Sequence, residues 1–199
     1  IDAGVLEGVQ AIFGMHNAPE LPVGTFSARG GPFYANVDRF VIRVTGKGAH
    51  AARPQEGVDS IVTASQIVTA LQTLPSRSFS SLESVVVSVT RFHGGNTWNV
   101  LPQTVELEGT VRTHSHSVRA AVPEKIRQVI QGVATAFGAQ AELEWQAGPP
   151  ALVNSEHWAT FSQQVAAASG YQLKPAEIQM GGEDFAFYLH HVPGLFVSI

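Results

Sequence analysis

Between Asp38 and Thr45 the chain alternates, with Phe40, Ile42 and Val44 set against Val41, Arg43 and Thr45. A period of two is the mark of a strand with one buried face. From Asp59 to Leu74 the period lengthens: Ile61, Ala64, Val68 and Leu71 recur at helical spacing. Asp59 can cap the start of that helix and Pro75 stops it. Glu83 to Phe92 returns to strand, with Val85, Val87 and Val89 on one face. Thr104 to Thr113 does the same, Val105, Leu107 and Val111 inward and Glu106, Glu108 and Arg112 outward. Val122, Ile126, Val129, Val133 and Phe137 form a second helical stripe, with Pro123 in its first turn and Gly138 at its C-terminal cap. Ala141, Leu143 and Trp145 then alternate with Gln140, Glu142 and Glu144. The order β-α-β-β-α-β predicts an α+β, ferredoxin-like unit: an antiparallel four-stranded sheet with both helices on one face.

The flanks follow other patterns. Gly8 to Met15 is a short apolar run, read as a buried strand that ends at His16. Residues 155–169 predict a helix with Trp158, Phe161, Val165 and Ala168 on one face and Gly170 after it. Leu195 to Ile199 is again strand-like, and the sequence stops inside it. Turn-rich joins, Arg29-Gly30-Gly31-Pro32 and Gly148-Pro149-Pro150, bracket the middle. Charge changes there too, with a net of −2 over residues 1–37, +1 over 38–147 and −3 over 148–199. The expected organisation is therefore an inserted middle, 38–147, between flanks 1–37 and 148–199 that share one larger layer. Each flank is too small to make a core alone, which is why the two are expected to share that layer, and a sequence that stops inside a strand is expected to be a portion of a longer protein.

Composition narrows the function more than the fold. With 199 residues and 44% hydrophobic content, the chain can bury a core without staples. No apolar run approaches the roughly 18 residues of a membrane span, and a net charge of −4 does not suit an electrostatic nucleic-acid binder. The absence of cysteine removes thiol nucleophiles and cysteine metal sites from these residues. It fits a cytoplasmic setting.

Four short segments can carry chemistry. Gly14-Met15-His16-Asn17-Ala18-Pro19 puts a histidine at a strand end before a proline-stiffened loop, where it either ligates a metal or bonds the loop backbone. Gly46-Lys47-Gly48-Ala49-His50 lifts His50 onto a loop, as a donor to a developing oxyanion or as a solvated side chain. Asn99 and Arg112 offer an amide and a guanidinium that suit a carboxylate, unless Arg112 pairs with neighbouring glutamates. Gly181-Gly182-Glu183-Asp184 sets two acids on a glycine turn, as base, ligand or helix cap. One histidine is not a metal site, since zinc takes three or four ligands.

Taken in order, GMHNAPELPVG, GKGAHAARPQEGVDSI, GGNTWNVLPQTVELEGTVRT and MGGEDFAFYL resemble the aminoacylase, hippurate hydrolase and indole-acetyl-amino-acid hydrolase branch of the dimetal amidohydrolase and carboxypeptidase family. The resemblance covers essentially the whole chain. It implies an α/β catalytic domain holding two divalent ions, zinc or manganese, interrupted by a lid through which subunits pair as a homodimer. It further implies His16 as a metal ligand, His50 as the catalytic oxyanion donor, Asn99 and Arg112 as holders of the substrate carboxylate, and Gly182 and Glu183 as pocket residues. The substrate class is an N-acyl amino acid or related amide. The family's upstream cysteine-and-histidine segment, its paired glutamates and its last histidine ligand have no counterpart among these residues. On their own they are expected to hold no stable metal pair and to be inactive. The alternatives are a carboxypeptidase acting on peptide-like bonds and a non-catalytic dimerisation or amino-acid-binding module.

Overall fold

The computed structural model describes residues 1–199. In chain order the elements are β1 (Ile12–His16), β2 (Thr25–Ala28), β3 (Gly31–Tyr34), β4 (Asp38–Thr45), β5 (Ala49–His50), α1 (Ser60–Leu71), β6 (Val85–Gly94), β7 (Val100–Leu101), β8 (Thr104–Thr113), α2 (His116–Ala136), β9 (Gln140–Ala147), β10 (Leu152–Asn154), α3 (Glu156–Ala168), β11 (Gln172–Pro175), α4 (Ala186–Leu189) and β12 (Gly194–Ser198). They group into two compact units, Val37–Gly148 and Ile1–Asn36 with Pro149–Ile199. No helix is long and apolar enough to cross a membrane.

In the unit Val37–Gly148 the sheet order is β6-β8-β4-β9, with every neighbouring pair antiparallel. Ile42 lies opposite Leu107 and Leu143, and Val44 opposite Val105 and Ala141, so one face of the sheet is continuous apolar surface. Ala64, Ile67 and Leu71 of α1 and Val118, Val122, Ile126 and Ile130 of α2 pack onto that face in a single core. Gly109 is required where β6 bulges between Val89 and Arg91: a Cβ there would run into the Ser88 carbonyl and the ring of Phe40. The opposite face is charged. Glu108 accepts from Arg39 Nε at 2.6 Å and from Arg91 at 2.9 Å. Those two hydrogen bonds hold its carboxyl below the usual range, so their contribution is present above that range and is lost as acid titrates the folded form.

Both helices begin on side-chain caps. Asp59 accepts from the Ile61 and Val62 amides, and Ser115 from the Val118 amide. Two boundaries differ from the sequence expectation. Helix α1 ends at Leu71, before a separate π-helical turn over Leu74–Ser78 that contains Pro75. Helix α2 starts at His116, which puts Pro123 in its interior. Val118 and Val122 extend the buried stripe toward the N-terminus, and core packing carries the helix past the missing amide donor.

The ends of this unit meet at one buried carboxylate. Asp38, fully buried, takes a two-pronged contact from Arg119, Nε to Oδ2 at 2.9 Å and Nη2 to Oδ1 at 2.6 Å. It also accepts from the Gly148 amide at 3.1 Å, while Arg119 donates to the Gly148 carbonyl at 2.8 Å. Gly148 has no room for a side chain, because a Cβ would strike the Val37 carbonyl.

In the other unit the sheet order is β1-β12-β2-β11, mixed parallel and antiparallel, and β3 pairs with β10. Here two sequence expectations fail. The first strand begins at Ile12 after a turn-rich segment, and Phe13 (53% exposed) and Met15 (62%) are not buried. It pairs with β12 on one edge only. In α3 the buried residues are Ala159 and Ala166, while Phe161 and Val165 face outward. Ala159 packs with Ala28 of β2 and Leu195 and Val197 of β12, with Trp158 partly buried against them, while Phe161 and Val165 stay about half exposed.

Arg119→Ala would remove the two-pronged guanidinium contact from the buried Asp38 carboxylate. The expected loss is roughly 3–5 kcal/mol of stability, read by urea unfolding of the whole chain, with Asp38→Asn losing less than Arg119→Ala.

Candidate functional site

Two separate groups of polar residues emerge, one in each unit. The first lies where β1 and β12 end side by side, with His16 opposite Ser198 in the register. His16 Nε2 is 2.6 Å from Glu183 Oε2, although 167 positions separate the two in sequence. Glu183 is fixed from the other side by the Phe185 amide, which donates to Oε1 at 3.2 Å. Gly181 and Gly182 make the bend that turns Glu183 toward His16, and the Gly181 carbonyl is tied down by the Ala35 amide at 2.9 Å.

Phe196 underlies the group, its ring 4.9 Å from the His16 ring and 5.9 Å from that of Tyr34. Its position is set by buried Asn154, whose side chain accepts from the Phe196 amide at 2.8 Å and donates to the Phe196 carbonyl at 2.9 Å. A cavity of about 360 Å³ opens beside His16, walled in part by Asn17, Glu20, Tyr34, Lys174 and Gln179. No sequence motif pointed to Asn154 or Tyr34; an asparagine just before the helix-capping Ser155 is the one local signal.

The His16–Glu183 contact fixes a tautomer. A carboxylate oxygen only accepts, so Nε2 carries a proton, and in the neutral tautomer the lone pair lies on Nδ1. His16 is thereby a held donor toward Glu183 and a possible ligand through its other nitrogen. No group of three or more histidine, cysteine, aspartate or glutamate residues stands ready for a metal. His16 and Glu183 are two donors, short of the three or four that one zinc ion takes, so these residues by themselves do not fit a metal centre.

The second group is in the other unit. β5 and β7 pair, bringing His50 opposite Val100 and joining the Ala51 amide to the Asn99 carbonyl at 3.0 Å. The Ala52 amide donates to His50 Nδ1 at 3.1 Å. In the neutral ring the proton therefore sits on Nε2, and His50, exposed on its loop, presents an N–H outward. Asn99 Oδ1 accepts from the Thr97 hydroxyl at 3.2 Å, which turns its amide N–H₂ free for another partner.

Arg112 stands elsewhere. Its Nε donates to Thr110 Oγ1 at 3.0 Å, on the charged face of β8, and it pairs with none of the glutamates there. The Thr104 end of β8 adjoins the loops that carry His50 and Asn99; Arg112 is eight residues up the strand, roughly 27 Å of extended chain. The structure thus joins His16 with Glu183 and His50 with Asn99, and keeps Arg112 apart from the latter pair.

Residues 35–136 match the family model described as the peptidase dimerisation domain of M20 peptidases. The chain belongs to the M20 peptidase family. Among M20 relatives, the N-acetylcysteine deacetylase of Bacillus subtilis is 49% identical over 197 residues, covering 99% of this chain and 52% of the relative. An IAA-amino acid hydrolase of Arabidopsis thaliana is 38% identical, covering 98% of this chain and 46% of that protein. A solved M20 structure, the YXEP protein of Bacillus subtilis described as a dinuclear metal-binding peptidase, superposes with a TM-score of 0.83 at 45% identity, over 99% of this chain and 49% of that one. The chain spans about half the length of the M20 relatives it matches. The family resemblance read from the four motifs holds, in the amidohydrolase branch.

The tautomer assignment can be checked directly. Long-range ¹H–¹⁵N spectra at neutral pH should show His16 protonated at Nε2, and Glu183→Ala should abolish that preference. A His16 ring protonated at Nδ1 in the unsubstituted protein would contradict the contact.

Proposed function

We propose that the protein containing this chain is a metal-dependent amidohydrolase that cleaves the amide bond of N-acyl amino acids. In this reading Val37–Gly148 is a ferredoxin-like lid and dimerisation domain. The remainder is part of an α/β catalytic domain whose two divalent ions, zinc or manganese, are held mostly by residues outside this chain. His16 is the ligand contributed here, with Glu183 orienting it, and Gly182 and Glu183 shape the pocket. The substrate is a small molecule, the assembly a homodimer acting in the cytoplasm, and neither nucleic acid nor membrane takes part. The 199 residues alone are inactive.

The outward Nε2–H of His50 carries this reading. A carbonyl oxygen that gains negative charge as water adds to it is better held in the transition state than in the substrate by such a preset donor. The Arg112 guanidinium, always charged and planar, grips a carboxylate with two parallel bonds, and the Asn99 amide adds a neutral donor.

The separation of His50 and Asn99 from Arg112 supports a shared site. In an N-acyl amino acid the scissile carbonyl and the carboxylate are about 4–5 Å apart by bond lengths, whereas a β8 strand length divides the groups meant to hold them. Two copies of the chain, one supplying His50 and Asn99 and the other Arg112, resolve the mismatch. Pairing through the lid is then a condition of catalysis.

In the full-length protein His50→Ala should lower kcat by about 10²–10³ with little change in KM. Arg112→Ala should raise KM for N-acyl amino acids far more than for their carboxamides, and Arg112→Lys should not rescue it. Steady-state kinetics on N-acetyl amino acids and the matching amides decide this. Equal losses on both substrate types would remove Arg112 as the carboxylate anchor.

A further inference from the structure

The chain has three tryptophans, and two of them are packed. Trp145 lies against the core of the unit Val37–Gly148. Trp158 makes edge contacts with Phe13, His157 and Phe161. Trp98 differs: it is 92% exposed, with no ring contact and no hydrogen bond at its indole N–H. Indole is the largest apolar side chain and is well buried on average, so one left in water is available for a contact outside its own fold.

The backbone beneath it is not loose. Thr97 Oγ1 donates to Asn99 Oδ1 at 3.2 Å, so the residues on either side of Trp98 are bonded to each other. The Ala51 amide donates to the Asn99 carbonyl at 3.0 Å, and the next residue, Val100, pairs with His50. All of these residues belong to the one unit, Val37–Gly148. The indole is presented on a tied turn.

Three groups without partners therefore share this pair of strands: the His50 Nε2–H, the Asn99 amide N–H₂ and the Trp98 ring. Two are donors and the third is an apolar plate. A ligand that answers all three carries two acceptor groups with hydrocarbon between them. In an N-acyl amino acid the α-carbon lies between the amide and the carboxylate and bears the side chain. Trp98 precedes Asn99, at the carboxylate end, where that side chain lies; the acyl chain lies beyond the carbonyl, at the His50 end. We propose that Trp98 is a specificity-determining residue whose indole covers the side chain of the substrate's amino acid and favours large apolar ones. This rests on the amidohydrolase reading of His50 and Asn99.

The test separates the two claims, and both parts use the full-length protein. Turnover of N-acetylglycine and N-acetyl-L-leucine by the unsubstituted protein decides the amidohydrolase reading. Trp98→Ala should lower kcat/KM for the leucine substrate about tenfold more than for the glycine one, and Trp98→Phe should keep most of the preference. A second readout needs no turnover. Protein labelled with fluorotryptophan is titrated with the ketone analogues of the two substrates, in which CH₂ replaces the amide NH. The Trp98 fluorine signal, assigned by its loss in Trp98→Phe, should shift to saturation with the leucine analogue and move far less with the glycine analogue. Equal shifts, no shift with either analogue, or equal kinetic losses on both substrates overturn the proposal. So does a Trp98→Ala protein that sediments as a monomer where the unsubstituted protein is a dimer, because the indole then covers a second copy instead of the substrate.

Discussion

A carboxylate with no exposed surface, Asp38, sits where the chain enters and leaves the unit Val37–Gly148. Arg119 from α2 meets it with both prongs, and the Gly148 amide closes the ring of contacts. An unpaired charge in such a place is costly, so the carboxylate admits few arrangements of its neighbours. It holds the two ends of the unit together, in line with the register that pairs Asp38 with both Val111 and Ala147. Everything else on the sheet follows from that register. A slip of one residue would turn Phe40, Ile42 and Val44 out to solvent and Arg39 and Arg43 into the core.

The register also decides what the candidate chemistry can do. It sends Arg112 to the charged face near one end of β8 and leaves the loops bearing His50 and Asn99 at the other. Local hydrogen bonds then finish each side chain: the Ala52 amide sets the His50 tautomer, and Thr97 frees the Asn99 amide. In the other unit Asn154 plays a comparable part by holding both backbone groups of Phe196, on which His16 and Tyr34 rest. The proposed two-copy site is a consequence of these placements.

The strands of the middle unit were legible because each has one buried face. That forces period two on 38–45, 104–113 and 140–147, and Asp59 announced α1 through a capping bond that needs only local chain. Errors came where burial and local pattern part company. Pro123 looked like a first-turn residue, yet Val118 and Val122 draw the helix start back to His116. Phe161 and Val165 looked inward-facing, yet Ala159 and Ala166 are the buried residues of α3. His16 was legible as a strand-end histidine. Its partner Glu183 and its neighbour Tyr34 were not tied to it by any spacing, since tertiary contact alone joins them.

The central claim, that one site draws His50 and Arg112 from different copies, is open to a mixing experiment. Full-length His50→Ala and Arg112→Ala proteins, each crippled alone, are dissociated and allowed to re-pair. Each hybrid dimer would then carry one site with both groups intact and one with neither. Random pairing should restore roughly one quarter of wild-type turnover, as expected for a two-fold dimer. Turnover no higher than the average of the two variants, in samples shown to contain hybrid dimers, would contradict the account.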